Sequence, residues 1–167
     1  MQVRLAQSAD ALAVETIRVR GWQVAYRQIL PPAELDALQI DSTRWRDRLD
    51  TPPPGWATFV AVLDTADVDK VVGFASIGPS RDEQGLGELY ALYVEPSAWS
   101  QGTGRQLIAR AEEELALTYP AAALWVLTAN ARARRFYEQA GWQLDGAVKT
   151  QDRWGVEAEE SRYRKVF

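Results

Sequence analysis

Residues 88–107, ELYALYVEPSAWSQGTGRQL, decide how this chain is built. The stretch begins as a strand, with Leu89, Ala91 and Tyr93 alternating against Glu88, Tyr90, Leu92 and Val94, and with aromatic and β-branched side chains throughout. By that alternation Glu88 shares a face with Tyr90 and Leu92. Pro96 closes the strand, because it has no N–H to give to a ladder. Gly102-Thr103-Gly104 then leads into a helix with Leu107, Ile108, Ala111 and Leu115 on one face. A strand, a glycine turn and a helix N-terminus make an anion site: the glycines let the backbone come close, the amides point outward and the helix dipole favours negative charge. The amides of Gln101, Gly102, Thr103, Gly104 and Arg105 are therefore expected to hold a phosphate or pyrophosphate.

The turn is neither a P-loop, since it lacks the spacing and the Lys-Ser/Thr pair, nor a dinucleotide fingerprint, since no third glycine follows in register. A second pair of glycines, Gly85 and Gly87, reads as a plain turn before the strand. Residues 126–142, VLTANARARRFYEQAGW, supply the context that two glycines alone do not. Together the two stretches resemble the GCN5-related N-acetyltransferases (GNAT), an acyl-CoA-dependent superfamily. That family's turn motif, Q/R-x-x-G-x-G/A, falls on residues 99–104, with both glycines matched and Trp99 standing where the family has Gln or Arg. Its later motif, N-x-x-A-x-x-F-Y-E-x-x-G-F/W, is matched at Asn130, Ala133, Phe136, Tyr137, Glu138, Gly141 and Trp142.

Outward from these stretches, the periodicity predicts an opening strand over 3–5 and a helix capped by Ser8, with Asp10 in its first turn. Ala13, Ile17, Gly21 and Val24 form one face of that helix, while Trp22 and Tyr26 share another side. Short helices are expected over 32–38 and 42–49, and a hairpin of strands 56–63 and 71–77 around a polar turn at 64–70. A third strand, 88–95, continues the meander. A helix over 102–118 ends before Pro120, and a strand at 122–128 returns parallel to 88–95. Asn130 starts the next helix, Gly141 ends it, and strands 142–149 and 156–166 close the chain around a turn at 151–155. The resemblance implies one acyltransferase domain over residues 1–167. Its fold would be α/β (α+β): a mixed, mostly antiparallel central sheet with a β-α-β cofactor core and helices on both faces.

The resemblance also assigns chemistry, with acetyl-CoA as co-substrate. The pantetheine arm would enter a gap between the third strand and the 122–128 strand, pairing with backbone groups of Leu92, Tyr93 and Val94. Tyr137 would be the general acid that protonates the departing thiolate, and its ordinary pKa of about 10 keeps it protonated at neutral pH. Asn130 would bind the cofactor, and its position suits a helix cap equally well. Glu88 would be the general base, directly or through water; a solvated carboxylate at a strand start is the plainer reading. Trp22 and Tyr26 are candidates for the acceptor pocket or, alternatively, an aromatic pair in the core. Arg105 could add to the phosphate site, and the run Arg132, Arg134, Arg135 could meet the far end of the cofactor, though a solvated helix face explains most of that run.

Composition narrows the remaining options. With 47% hydrophobic and 25% charged residues, the 167-residue chain suits a soluble globular protein. It has 0 Cys and 0 His, so thiolate catalysis, an acyl-cysteine route and Cys- or His-ligated metal are out, and acid–base work falls to Glu, Asp, Tyr, Lys or water. No metal is expected. The net charge of −4 does not suggest a nucleic-acid partner and weakly suits a basic acceptor. No apolar run reaches membrane-spanning length and residues 1–10 carry no secretory apolar core, so no membrane association and a cytoplasmic location are expected. Two functions remain: an N-acetyltransferase moving acetyl to a primary amine of a small molecule or peptide in a ternary complex, or a non-catalytic acyl-CoA-binding sensor on the same fold. A homodimer is compatible with either.

Overall fold

The computed structural model describes residues 1–64 and 69–167. Seven strands form one sheet in the order β1-β2-β3-β4-β5-β7-β6. They are β1 (Gln2–Leu5), β2 (Ala57–Leu63), β3 (Lys70–Pro79), β4 (Gly87–Val94), β5 (Ala121–Leu127), β6 (Gln143–Arg153) and β7 (Val156–Val166). Every neighbouring pair is antiparallel except β4 and β5, which are parallel. The crossover between those two is α4 (Thr103–Ala116), a right length of helix for a βαβ unit. The remaining helices are α1 (Ala11–Ala25), α2 (Pro32–Asp36), α3 (Thr43–Asp50) and α5 (Ala131–Gln139). The expected mixed, mostly antiparallel sheet with a β-α-β core is therefore present. The polar turn expected at 64–70 lies in part outside the described residues.

Helices cover both faces, and the sequence pattern explains why. Leu107, Ile108, Ala111 and Leu115 of α4 are buried with Leu89, Leu124 and Val126 in the larger core cluster. On the opposite face Val14 and Ile17 of α1 pack with Val60, Val62 and Phe74, and with Trp45 of α3. A third cluster joins Leu127 and Ala158 to Leu30 and Leu35, with Trp22 and Tyr26 against it. Burying such apolar faces is the dominant favourable contribution to folding, on the order of 25 cal/mol per Å².

Local chemistry corrects four sequence expectations. Ser8 does not cap the first helical turn; the Asp10 carboxylate accepts the Gln7 N–H at 2.8 Å and pairs with Arg4 at 2.7 Å. The buried stripe of α1 runs through Val14, Ile17 and Gly21, so Val24 falls outside it and is half exposed. The last turn is only two residues, Trp154 (φ 57°) and Gly155 (φ 78°), and two positive φ values suit a tight hairpin. Strand β6 consequently extends to Arg153, through positions read as loop, while β7 keeps its expected span. Finally, Ser76 pairs with Ala91 and Ile77 with Leu89, leaving Tyr90 as an extra residue in β4. The bulge resets the alternation: Leu92 and Val94 pack in the same cluster as Leu89, while Ala91 and Tyr93 face the α1 cluster. Glu88 therefore does not share Leu92's face.

Candidate active site

The bulge at Tyr90 opens the site. β4 and β5 pair only at Gly87↔Ala122, Glu88↔Ala123 and Leu89↔Leu124. Beyond those positions the two strands part. The gap belongs to a cavity of about 730 Å³, lined from both faces of the sheet. That volume is within the ordinary range for small-molecule and cofactor sites.

One end of the cavity is a helix N-terminus. Gly102, the cap of α4, has φ 86°, which a glycine adopts without steric cost. The first helical bond of α4 runs from Gln106 N–H to Gly102 C=O, so the amides of Thr103, Gly104 and Arg105 have no acceptor within the helix. Gly104 lies under Phe136, whose ring carbons would sit 3.2 and 3.3 Å from an added Cβ. Gly102, Gly104 and Arg105 line the cavity. The other two loop residues contribute no side chain: Gln101 donates back to the Ser97 carbonyl at 3.0 Å, and Thr103 is buried beside Met1. Trp99 covers the loop, its indole N–H bonding the Val94 carbonyl at 2.8 Å and its ring lying 3.7 Å from the Arg132 guanidinium carbon. One of the backbone acceptors expected to face the cofactor is thus taken by Trp99.

Tyr137 stands where the gap opens. Tyr137 is more buried than Phe136, and both line the cavity. Burial, then the neighbouring Tyr93, push the Tyr137 phenol above its ordinary range. Asn130 caps α5 by accepting the Ala133 N–H at 3.1 Å, which leaves its NH₂ group for other partners, and it too lines the cavity. Gly141, at φ 86°, ends α5. Of the Arg run, Arg134 is structural, donating to Tyr163 and to the Thr128 carbonyl, whereas Arg132 and Arg135 reach the cavity.

The second end lies on the α1 face. Trp22 donates its indole N–H to the Tyr93 hydroxyl at 2.8 Å and meets Tyr26 edge-on at 5.2 Å. Burial first, then Tyr93, raise the Tyr26 phenol well above its usual value. Both aromatic candidates line the cavity, together with Leu92, Tyr93 and Val94.

Besides Gln101 and Thr103, Glu88 is an expected site residue that does not reach the cavity lining. It is 1% exposed, and Arg81 holds both its oxygens: the backbone N–H reaches Oε2 at 2.9 Å, Nε reaches Oε1 at 3.0 Å, and a terminal guanidinium nitrogen also donates to Oε1. Arg81 does line the cavity, so Glu88 is joined to it only through Arg81. Sequence reasoning also missed Lys149, Gln151, Arg153 and Glu160. They share the α1 face by register, since Leu127 pairs with Glu160 and Glu160 with Lys149. Their signal was the alternation of Lys149, Gln151 and Arg153, which becomes readable once β6 is known to reach Arg153.

The profile of the acetyltransferase (GNAT) family matches residues 18–142. The uncharacterized N-acetyltransferase YuaI of Bacillus subtilis is 34% identical over 133 residues, which is 77% of this chain and 72% of that protein. Among solved structures, the PaiA N-acetyltransferase of Thermoplasma acidophilum, in complex with coenzyme A, superposes with a TM-score of 0.74 at 16% identity, covering 100% of both chains. YncA of Salmonella typhimurium, with its cofactor acetyl-CoA, gives a TM-score of 0.76 at 20% identity over 99% of this chain and 93% of that one.

Proposed function

The chain belongs to the acetyltransferase (GNAT) family, and on that premise we propose that it moves acetyl from acetyl-CoA to a primary amine by direct attack in a ternary complex. The observation that carries this reading is the gap itself: a cavity that joins a helix N-terminus on one face to an aromatic and charged pocket on the other, with Tyr137 between them.

The residues present fit the cofactor. Three amides of the first turn of α4 lack helical acceptors, Gly104 has no side chain to block them, and Arg105, Arg132 and Arg135 surround that end with positive charge. Gln101 and Thr103 would take part through their backbones. Leu92, Tyr93 and Val94 edge the gap, and Asn130 offers its NH₂ group. When bound, acetyl-CoA supplies an activated acyl group and a thiolate leaving group.

The chemistry left to the protein is modest. The amine nitrogen forms a bond to the thioester carbonyl carbon, the C–S bond breaks, the sulfur gains a proton and the nitrogen loses one. Tyr137, kept protonated by burial, gives the proton to sulfur. Tyr93 and Trp22 hold each other on the α1 side of the gap and orient the acceptor there. Because Glu88 is committed to Arg81, its part is to fix that guanidinium, and the amine sheds its proton to water in the open cavity.

The test is thiol release from acetyl-CoA by purified protein, with and without each member of a panel of primary amines. Amine-dependent release matched by acetylated amine is the expected result. Release that no amine accelerates contradicts the reading.

A further inference from the structure

Among the described residues, seven charged ones line the cavity: Arg81, Arg105, Arg132, Arg135, Lys149, Arg153 and Glu160, six cations and one carboxylate. The chain as a whole carries −4, so this is a local inversion of sign. Three of the cations, Arg105, Arg132 and Arg135, lie at the helix N-terminus end, where phosphates would use them. The other three surround the α1-side pocket, which a thioester cofactor does not explain.

The contacts in that second group are loose. Arg153 reaches Glu160 at 3.3 Å, and Lys149 reaches Glu160 at 3.8 Å and Asp82 at 3.7 Å. Charge-assisted bonds normally close to about 2.7–2.9 Å. This chain achieves that elsewhere, at 2.7 Å for both Arg162–Asp145 and Lys165–Glu112. Arg153 Nε is also buried with no hydrogen-bond partner among the described residues, while its guanidinium carbon lies 5.2 Å from the Trp22 ring. A buried N–H donor without an acceptor is unfavourable, so a group that supplies one is favoured there. Glu88 neutralises Arg81 and Asp82 faces Lys149, so the unspent positive charge centres on Arg153. Glu160 pairs in register with Leu127, the last residue of β5, which places it where the gap opens.

We propose that the acceptor is a zwitterion of the amino-acid class: its ammonium group on Glu160, its carboxylate on Arg153 and Lys149, and its apolar part against Trp22 and Tyr26. This rests on the acetyltransferase reading and adds the substrate class to it. A polyamine is the wrong ligand for this pocket, since it would bring several positive charges to three cations and one carboxylate.

The experiment compares the twenty free L-amino acids, the α-carboxamide of each, and spermidine as acceptors of acetyl from acetyl-CoA. The amides are a strict control, because their amines are less basic and so freer to attack at neutral pH. At least one free acid should exceed its own amide and spermidine by about tenfold or more in kcat/KM. Arg153→Gln should erase that preference by raising the KM of the acid, with CoA affinity and melting temperature unchanged. Amides or spermidine performing as well as every acid would overturn the subsite and leave the acetyltransferase reading standing. Calorimetry of the same compounds on CoA-saturated protein reads the subsite without turnover. An amino acid that binds there, and that Arg153→Gln loses, supports the subsite even if no amine is acetylated. Binding of none of the twenty overturns it.

Discussion

The two ends of the cavity are built by different means. The end at α4 is mostly backbone: a left-handed Gly102, three amides without helical acceptors and a bare Gly104 under Phe136. The end under α1 is almost entirely side chain, drawn from α1, β6, β7 and the segment after β3. A backbone site of this kind suits a phosphate, which the proposed cofactor would bring whatever the acceptor is. A side-chain site can differ from one protein to the next while the backbone ladder beneath it stays the same, since ladder bonds are made by main-chain groups. The gap beyond the Tyr90 bulge is where the general half meets the particular half.

The sharpest way to break this comparison is at the backbone end. Gly104→Asp adds a carboxylate where a phosphate should lie and a Cβ 3.2 Å from Phe136. Calorimetry should show acetyl-CoA affinity falling by about 100-fold or more, with the far-UV spectrum largely kept. Gly104→Ala separates the two causes, since it carries the contact without the charge and should lose much less. Equal affinity for Gly104→Asp and wild type would remove the phosphate assignment.

At the junction, Tyr137→Phe deletes one oxygen and hardly any volume. Its kcat should drop by about 10²-fold with the acetyl-CoA KM nearly constant, the pattern of a contact made mainly in the transition state. A raised KM with kcat intact would make Tyr137 a binding residue instead. The pH dependence follows from the direction of its shift. Burial disfavours the phenolate, so the protonated phenol, the acid needed, survives above the ordinary value of about 10. Wild-type kcat should therefore not decline up to pH 10. The matching stability contribution is complete below the ordinary tyrosine pKa and is lost only as pH climbs through the raised one.

The mildest change is expected at Glu88. Glu88→Gln keeps the shape but frees Arg81, so the acceptor KM should rise by about tenfold and stability should fall by about 2 kcal/mol. The shape of the pH–rate profile should stay the same. A rate that collapses at neutral pH and recovers at high pH would restore Glu88 as the base.

What could be read from the sequence follows the same division. The Gly102-Thr103-Gly104 turn, the Asn130 cap and the Phe136-Tyr137 pair are contiguous, and each signals its local structure within a few residues. They carried the β-α-β core, and with it the half of the cavity proposed for the cofactor. Lys149, Arg153 and Glu160 gave no such signal, because they meet only after a two-residue turn sets the register of β6 against β7. Glu88 misled for a related reason. Strand alternation holds only while the ladder is regular, and the extra residue at Tyr90 interrupts it one turn of the pleat later. Arg81, seven residues away across a loop, then claims the carboxylate.

The central claim is that cofactor and amine occupy the two ends together and that acetyl passes directly between them through the β4–β5 gap. Initial rates of thiol release, measured while acetyl-CoA and the best amine of the panel are varied against each other, test it most directly. The account predicts reciprocal plots that intersect, as a ternary complex requires. Parallel lines, the mark of an acyl-enzyme route, would contradict it.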